Sequence, residues 1–98
     1  MSMKEIKKAL LTNRLRLSQH AKKRMNKRGY TKKDVISCVL SGMISEIQVS
    51  EKGLRTVIEG KDFDGLPMVT VVGKCMYPKE FIVVTVMPPI KSKFQNVI

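Results

Sequence analysis

Histidine occurs once in this chain, cysteine twice, tryptophan not at all, and only eight residues are acidic. A single histidine with Cys38 and Cys75 far apart supplies neither zinc-ligand spacing nor a CxxC redox pair, so no metal and no cofactor is expected. Two cysteines without a second pair exclude a disulfide framework, and reduced, partly buried thiols are the expectation. The N-terminal apolar residues are scattered through a lysine-rich segment with no continuous apolar run, which argues against a signal peptide or a membrane span and predicts a cytoplasmic protein. No internal repeat or low-complexity tract is present.

What the chain does have is positive charge, unevenly placed. Residues 1–33 hold twelve Lys/Arg against Glu5 alone, whereas residues 34–98 hold seven of each sign. The whole net charge of +11 therefore lies in the first third. A one-sided basic field attracts polyanions through counterion release, so RNA is the leading partner class and an anionic membrane surface its competitor, the latter set aside. The plainer reading is that the charge serves solubility alone.

At 98 residues with 43% hydrophobic content the chain is long enough for one core and one site. Met3, Ile6, Leu10 and Leu11 form one helical stripe, read either as a short amphipathic helix or as a frayed basic arm over residues 1–16. Ser18 caps a second helix that runs to Arg28 and stops at Gly29. Leu17, Ala21 and Met25, four residues apart, face the core; His20, Lys23, Arg24 and Lys27 share another face, with Arg28 at its margin. Thr31 and Asp34 open a third helix, with Val35, Ile36, Val39 and Leu40 as its buried stripe and Gly42 at its end.

Four strands are expected after Gly42, over residues 44–50, 54–59, 68–74 and 80–87, ending at Pro88 and Pro89, with a tail over 90–98. Short connections make them antiparallel. The last two are apolar on both faces, so they are either central or covered by something else. The fold class is α+β: two or three N-terminal helices on one face of a four-stranded antiparallel sheet, with residues 17–89 as the core of a single domain.

The run LSQHAKKRMNKRGYTKKDVISCVLSGMISE, with VIEGKDFDGLPMVTVV and FIVVTVMPP after it, resembles the bacterial domain family numbered 4258 among the domains of unknown function. The matching positions are His20, Ala21, Arg24 and Met25 on one helix, Arg28 and Gly29 at its turn, Asp34 and Val35 at the next helix start, and Thr85 on the last strand. Such domains are similar in layout to the barnase, EndoU, colicin and RelE (BECR) group of small ribonucleases and toxins. The resemblance implies a BECR or RelE-like fold, a toxin-like role, and His20, Arg24 and Thr85 as catalytic positions. Met87 stands where that pattern tends to place an aromatic ring.

The chemistry of these residues is compatible with a metal-independent ribonuclease. Cations around His20 favour the neutral imidazole, which can take a proton from a ribose 2′-hydroxyl; Arg24 can grip a phosphate bidentately; Thr85 can donate a hydroxyl if the sheet brings it beneath the helix. Lys23, Lys27, Arg28, Lys32, Arg14 and Arg16 are the expected nucleic-acid contacts. Glu59 and Tyr30 could serve as a second acid or base on chemistry alone. Against this stands His20 as a capping or structural residue, since HxxxR on a basic helix is a weak signal. A noncatalytic RNA-binding or partner-binding module shares every cation and does without His20. A helix-turn-helix DNA reader ranks third, because the helix after Gly29 exposes little beyond Lys32, Lys33, Ser37 and Ser41. The expected protein partners are an acidic antitoxin-like protein, or a second copy meeting through the last two strands.

Overall fold

Capping side chains set where each helix begins. In the computed structural model, which describes residues 1–51, 53–75 and 80–89, Ser2, Ser18 and Thr31 each accept a backbone N–H three residues on, from Glu5, Ala21 and Asp34. These caps open α1 (Met3–Leu11), α2 (Gln19–Arg28) and α3 (Lys32–Ser41). At α3 the cap is reciprocal: Asp34 Oδ2 accepts the Thr31 N–H at 2.8 Å and its hydroxyl at 3.0 Å. Gly29 ends α2 in the left-handed region at φ 75°. Gly42 closes α3 in an extended conformation and leads directly into a strand.

Five strands follow the chain: β1 (Leu15–Leu17), β2 (Met43–Ser50), β3 (Gly53–Lys61), β4 (Pro67–Cys75) and β5 (Glu80–Met87). Their order in the sheet is β1-β5-β4-β3-β2. β2 to β5 form the expected antiparallel meander. β1 corrects the expectation of four strands, because it joins the other edge of β5 in parallel, with Leu15 opposite Phe81 and Leu17 opposite Val83. The sheet is mixed and five-stranded. Three residues are too few for alternation to show in a sequence. The segment is held by Leu15 and Leu17, which pack into the core from the strand.

All three helices lie on one face of the sheet. Ala21 and Met25 of α2 meet Val35 and Cys38 of α3 over Met68, Val83 and Val86. Ile6 and Ala9 of α1 meet Val39 over Ile58, Val72 and Phe81. Two expected stripes shift by a residue or so. α1 buries Ala9 and leaves Leu11 exposed, and α3 buries Cys38 and leaves Leu40 exposed. Cys38 is fully enclosed, donates its thiol to the Met68 carbonyl at 3.4 Å, and has that thiol's pKa pushed up by burial. α3 can sit this low because Gly60 on β3 has no side chain: a Cβ there would overlap the Cys38 carbonyl oxygen.

The last two strands are central, flanked on both edges within the chain. Their second face carries Val69 and Val71 beside Val57 of β3, with Val84 and Met87 packed against them. The expected tail, residues 90–98, lies outside the described residues.

Candidate nucleic-acid interface

β1 runs out at Leu17, opposite Val83, and β5 continues four residues further. The edge left open there is taken over by α2. The Ser18 N–H donates to the Val83 carbonyl at 3.1 Å, and the Ser18 hydroxyl, while capping the helix, donates to the Val84 carbonyl at 3.1 Å. At the far end of the helix, Arg28 Nη1 donates to the Val86 carbonyl at 3.0 Å. α2 is thus tied at both ends to the β5 rim, satisfying carbonyls that a neighbouring strand would otherwise bind.

With Ala21 and Met25 pinned in the core, the helical period turns His20, Lys23 and Lys27 outward, while Arg24 is half-buried. Arg24 Nε lies 3.5 Å from His20 Nε2, at the outer limit of a hydrogen bond. An arginine Nε only donates, so His20 Nε2 is the acceptor in this contact.

No acidic side chain among the described residues forms an ion pair with these cations. Among the described residues the one ion pair is Arg16 Nη1 to Glu80 Oε2 at 3.2 Å. Lys23, Arg24, Lys27 and Arg28 are therefore uncompensated on one surface. Arg16 precedes this helix on β1, and Lys32 follows it, exposed, in the first turn of α3. Arg14 lines a separate cleft of about 350 Å³ with Glu5, Lys8, Ala9, Thr12 and Phe81.

Thr85 is placed differently. It pairs across the sheet with Val71 at a β-bulge, whereas the next residue, Val86, lies in the core beneath α2. Cross-strand partners share a face, so Thr85 sits on the side of Val57, Val69 and Val71, away from the helices. Among the described residues no hydrogen bond joins it to His20 or Arg24. The structure brings His20 and Arg24 together and leaves the threonine on the opposite face.

A family model described as Domain of unknown function (DUF4258) matches residues 17–88. The chain belongs to that family. The DUF4258 match begins at Leu17, the last residue of β1, and extends one residue past β5, so it takes in the whole α2–β5 arrangement and leaves α1 outside. No curated protein and no solved structure matches the chain.

The remaining candidates resolve by position. Glu59 lies on β3, two strands away from β5. Tyr30 packs against the core below α2, where burial raises the pKa of its hydroxyl. Asp34, Asp62 and Asp64 place ligand oxygens within 4.8 Å of one another, but two of these carboxylates are already used in turns. Asp34 Oδ1 accepts the Phe63 N–H at 2.9 Å, and Asp62 Oδ1 accepts those of Asp64 and Leu66. Sequence reasoning identified Ser18 as a cap and Arg28 as a phosphate contact, and missed that both also bind β5. The signal for that role is β1 itself, whose end determines which β5 carbonyls α2 meets. Among the described residues no helix is long and apolar enough to cross a membrane.

Proposed function

We propose that α2, seated on the β5 rim, is an RNA-binding surface on which His20 and Arg24 support metal-independent cleavage of a phosphodiester bond. The observation that carries this reading is the His20–Arg24 pair at 3.5 Å on a cationic helix face that forms no ion pair among the described residues. A phosphate arriving between Lys23, Arg24 and Lys27 draws the guanidinium to itself. That movement frees His20 Nε2, whose lone pair takes the ribose 2′ proton as the 2′ oxygen attacks the adjacent phosphorus; the P–O5′ bond breaks, a 2′,3′-cyclic phosphate forms, and the leaving 5′ oxygen takes its proton from solvent water. The cations hold the charge growing on the phosphoryl oxygens. The order of helices before an antiparallel meander supports the likeness in layout to BECR-type toxins, and an acidic antitoxin-like protein is the partner such a surface would take.

The position of Thr85 favours a second reading. With its hydroxyl on the opposite face and Met87 in place of a ring, His20 has no obvious acid to work with, and a noncatalytic RNA-binding module needs none. One experiment separates the two. Labelled single-stranded RNA is incubated with the protein in the presence of EDTA, and both cleavage and affinity are measured. In the catalytic reading, His20→Ala abolishes cleavage and changes affinity less than about twofold, whereas Arg24→Ala reduces both. Wild-type protein that binds RNA without cutting it leaves the module. Wild-type protein with no measurable RNA affinity at about 0.1 M salt overturns both.

A further inference from the structure

The two edges of the sheet are treated very differently. The β1 edge is three residues long, carries Arg16 at its centre with Arg14 just before it, and gives way to α2. The β2 edge is eight residues long and reads MISEIQVS, without a lysine, arginine or proline. Its outer side has no strand neighbour among the described residues. Edges that are not meant to pair are normally shortened, charged with lysine or broken by proline. β2 has a bulge between Ile44 and Glu46, where the Ser45 hydroxyl donates to the Val57 carbonyl at 3.3 Å, and a single charge, Glu46, whose pairing with Val57 puts it on the face opposite the helices. Beyond the bulge, residues 46–50 run in regular register with β3.

That regular half presents an apolar strip. Ile47 pairs with Thr56 and Val49 with Leu54, which puts both on the helix side of the sheet, yet they are 52% and 80% exposed. We infer that β2 is a self-association edge: a second copy of this chain pairs with it antiparallel, with Gln48 on the two-fold axis. In this register Ile47 of each copy lies opposite Val49 of the other, so four aliphatic side chains make one continuous strip. Moving the axis to Ile47 sets Val49 against Ser45, and moving it to Val49 sets Ile47 against Glu51. Only the Gln48 register pairs all four apolar residues.

Charge placement makes a second copy the fitting occupant. In a chain of net charge +11, β2 carries no positive residue and lies at the edge of the sheet away from α2. Two copies therefore meet at their least basic edges, beyond the range over which the α2 charges repel at physiological salt. The axis of an antiparallel pair stands perpendicular to the sheet, so the six helices lie on one face of a ten-stranded sheet. The two β5 strands are then seven strand spacings apart, about 34 Å before twist. The edge contact is independent of the RNA reading above.

Sedimentation equilibrium on the full chain at about 0.15 M salt tests this. Edge contacts are small, so the expected dissociation constant is about 10 µM, with the mass rising from 11.1 kDa toward twice that value as concentration increases. Val49→Lys and Ile47→Lys each weaken association about 100-fold or more, and circular dichroism shows them folded, since both side chains are exposed. Mixing Ile47→Lys with Val49→Glu restores a dimer, because the Gln48 register sets the new lysine against the new glutamate. A wild-type chain that stays at 11.1 kDa to about 500 µM overturns the inference, as does a Val49→Lys variant that dimerises like wild type. Recovery failing in the mixture overturns the register.

Discussion

The guanidinium of Arg28 donates to the Val86 carbonyl at 3.0 Å, on the stretch of β5 that β1 no longer covers. The arginine thus does for the sheet what a strand N–H does elsewhere, and its charge is partly committed to structure. Arg28→Ala is expected to leave a buried-edge carbonyl without its donor and to cost about 1–2 kcal/mol in urea denaturation. Lys27→Ala, on the next position of the same helix, is expected to cost less than about 0.5 kcal/mol. Equal losses for the two variants would show that the Arg28 bond contributes nothing beyond helix charge.

The salt dependence of RNA affinity distinguishes the exposed lysines of α2 from an arginine already in an ion pair. Lys23 and Lys27 are exposed and form no ion pair among the described residues, so each is expected to neutralise one phosphate. Alanine at either lowers the magnitude of the slope of log affinity against log salt by about 0.7 for single strands. Arg16, already paired with Glu80 at 3.2 Å, should change the slope by less. Fluorescence anisotropy over a salt series reads all three. A slope unmoved by both lysine substitutions would place the RNA on another surface.

Most of the helix and strand positions were legible because each is announced locally. Ser18 and Thr31 cap, Gly29 stops, and Pro88 ends the sheet; these are short-range effects that a sequence carries in full. β1 was not legible, since Leu15–Leu17 becomes a strand only through its pairing with Phe81–Val83, more than sixty residues away. The candidate site was half legible for the same reason. His20 and Arg24 are one turn apart on a single helix, so periodicity places them together. Whether Thr85 meets them depends on a bulge at Val84, and one extra residue in a strand decides which face its neighbours take.

Two glycines separate space from conformation. Gly60 has no room for a Cβ, because the Cys38 carbonyl of α3 and the Gly42 backbone lie against it. Gly60→Ala must push α3 off the sheet and is expected to cost about 3 kcal/mol, as overpacking against backbone does. Gly29 has open space around it but sits at φ 75°, so Gly29→Ala is expected to cost only about 1 kcal/mol of backbone strain. Thermal denaturation of both variants checks the order; a Gly29→Ala variant less stable than Gly60→Ala would reverse the argument.

Asp34 ties the start of α3 to the turn between β3 and β4, and this tie is sensitive to acid. The Thr31 backbone N–H, opposed in part by burial and assisted by the Phe63 N–H and the Thr31 hydroxyl, holds its carboxyl below the usual carboxylate range. Its folded pKa is therefore lower than its unfolded one of about 3.9. The stability it adds is fully present above the unfolded value and is lost as pH falls through the folded one. Asp34→Asn keeps the shape but gives up an acceptor oxygen, and should cost about 1–2 kcal/mol at pH near 7. Urea denaturation of the two proteins is expected to show this gap unchanged down to about pH 4.5 and narrowing below that, as the wild-type carboxylate takes up its proton. A gap that widens on acidification would mean that the carboxylate is held less well in the folded protein than in the unfolded chain, and that the Thr31 and Phe63 bonds do not anchor α3.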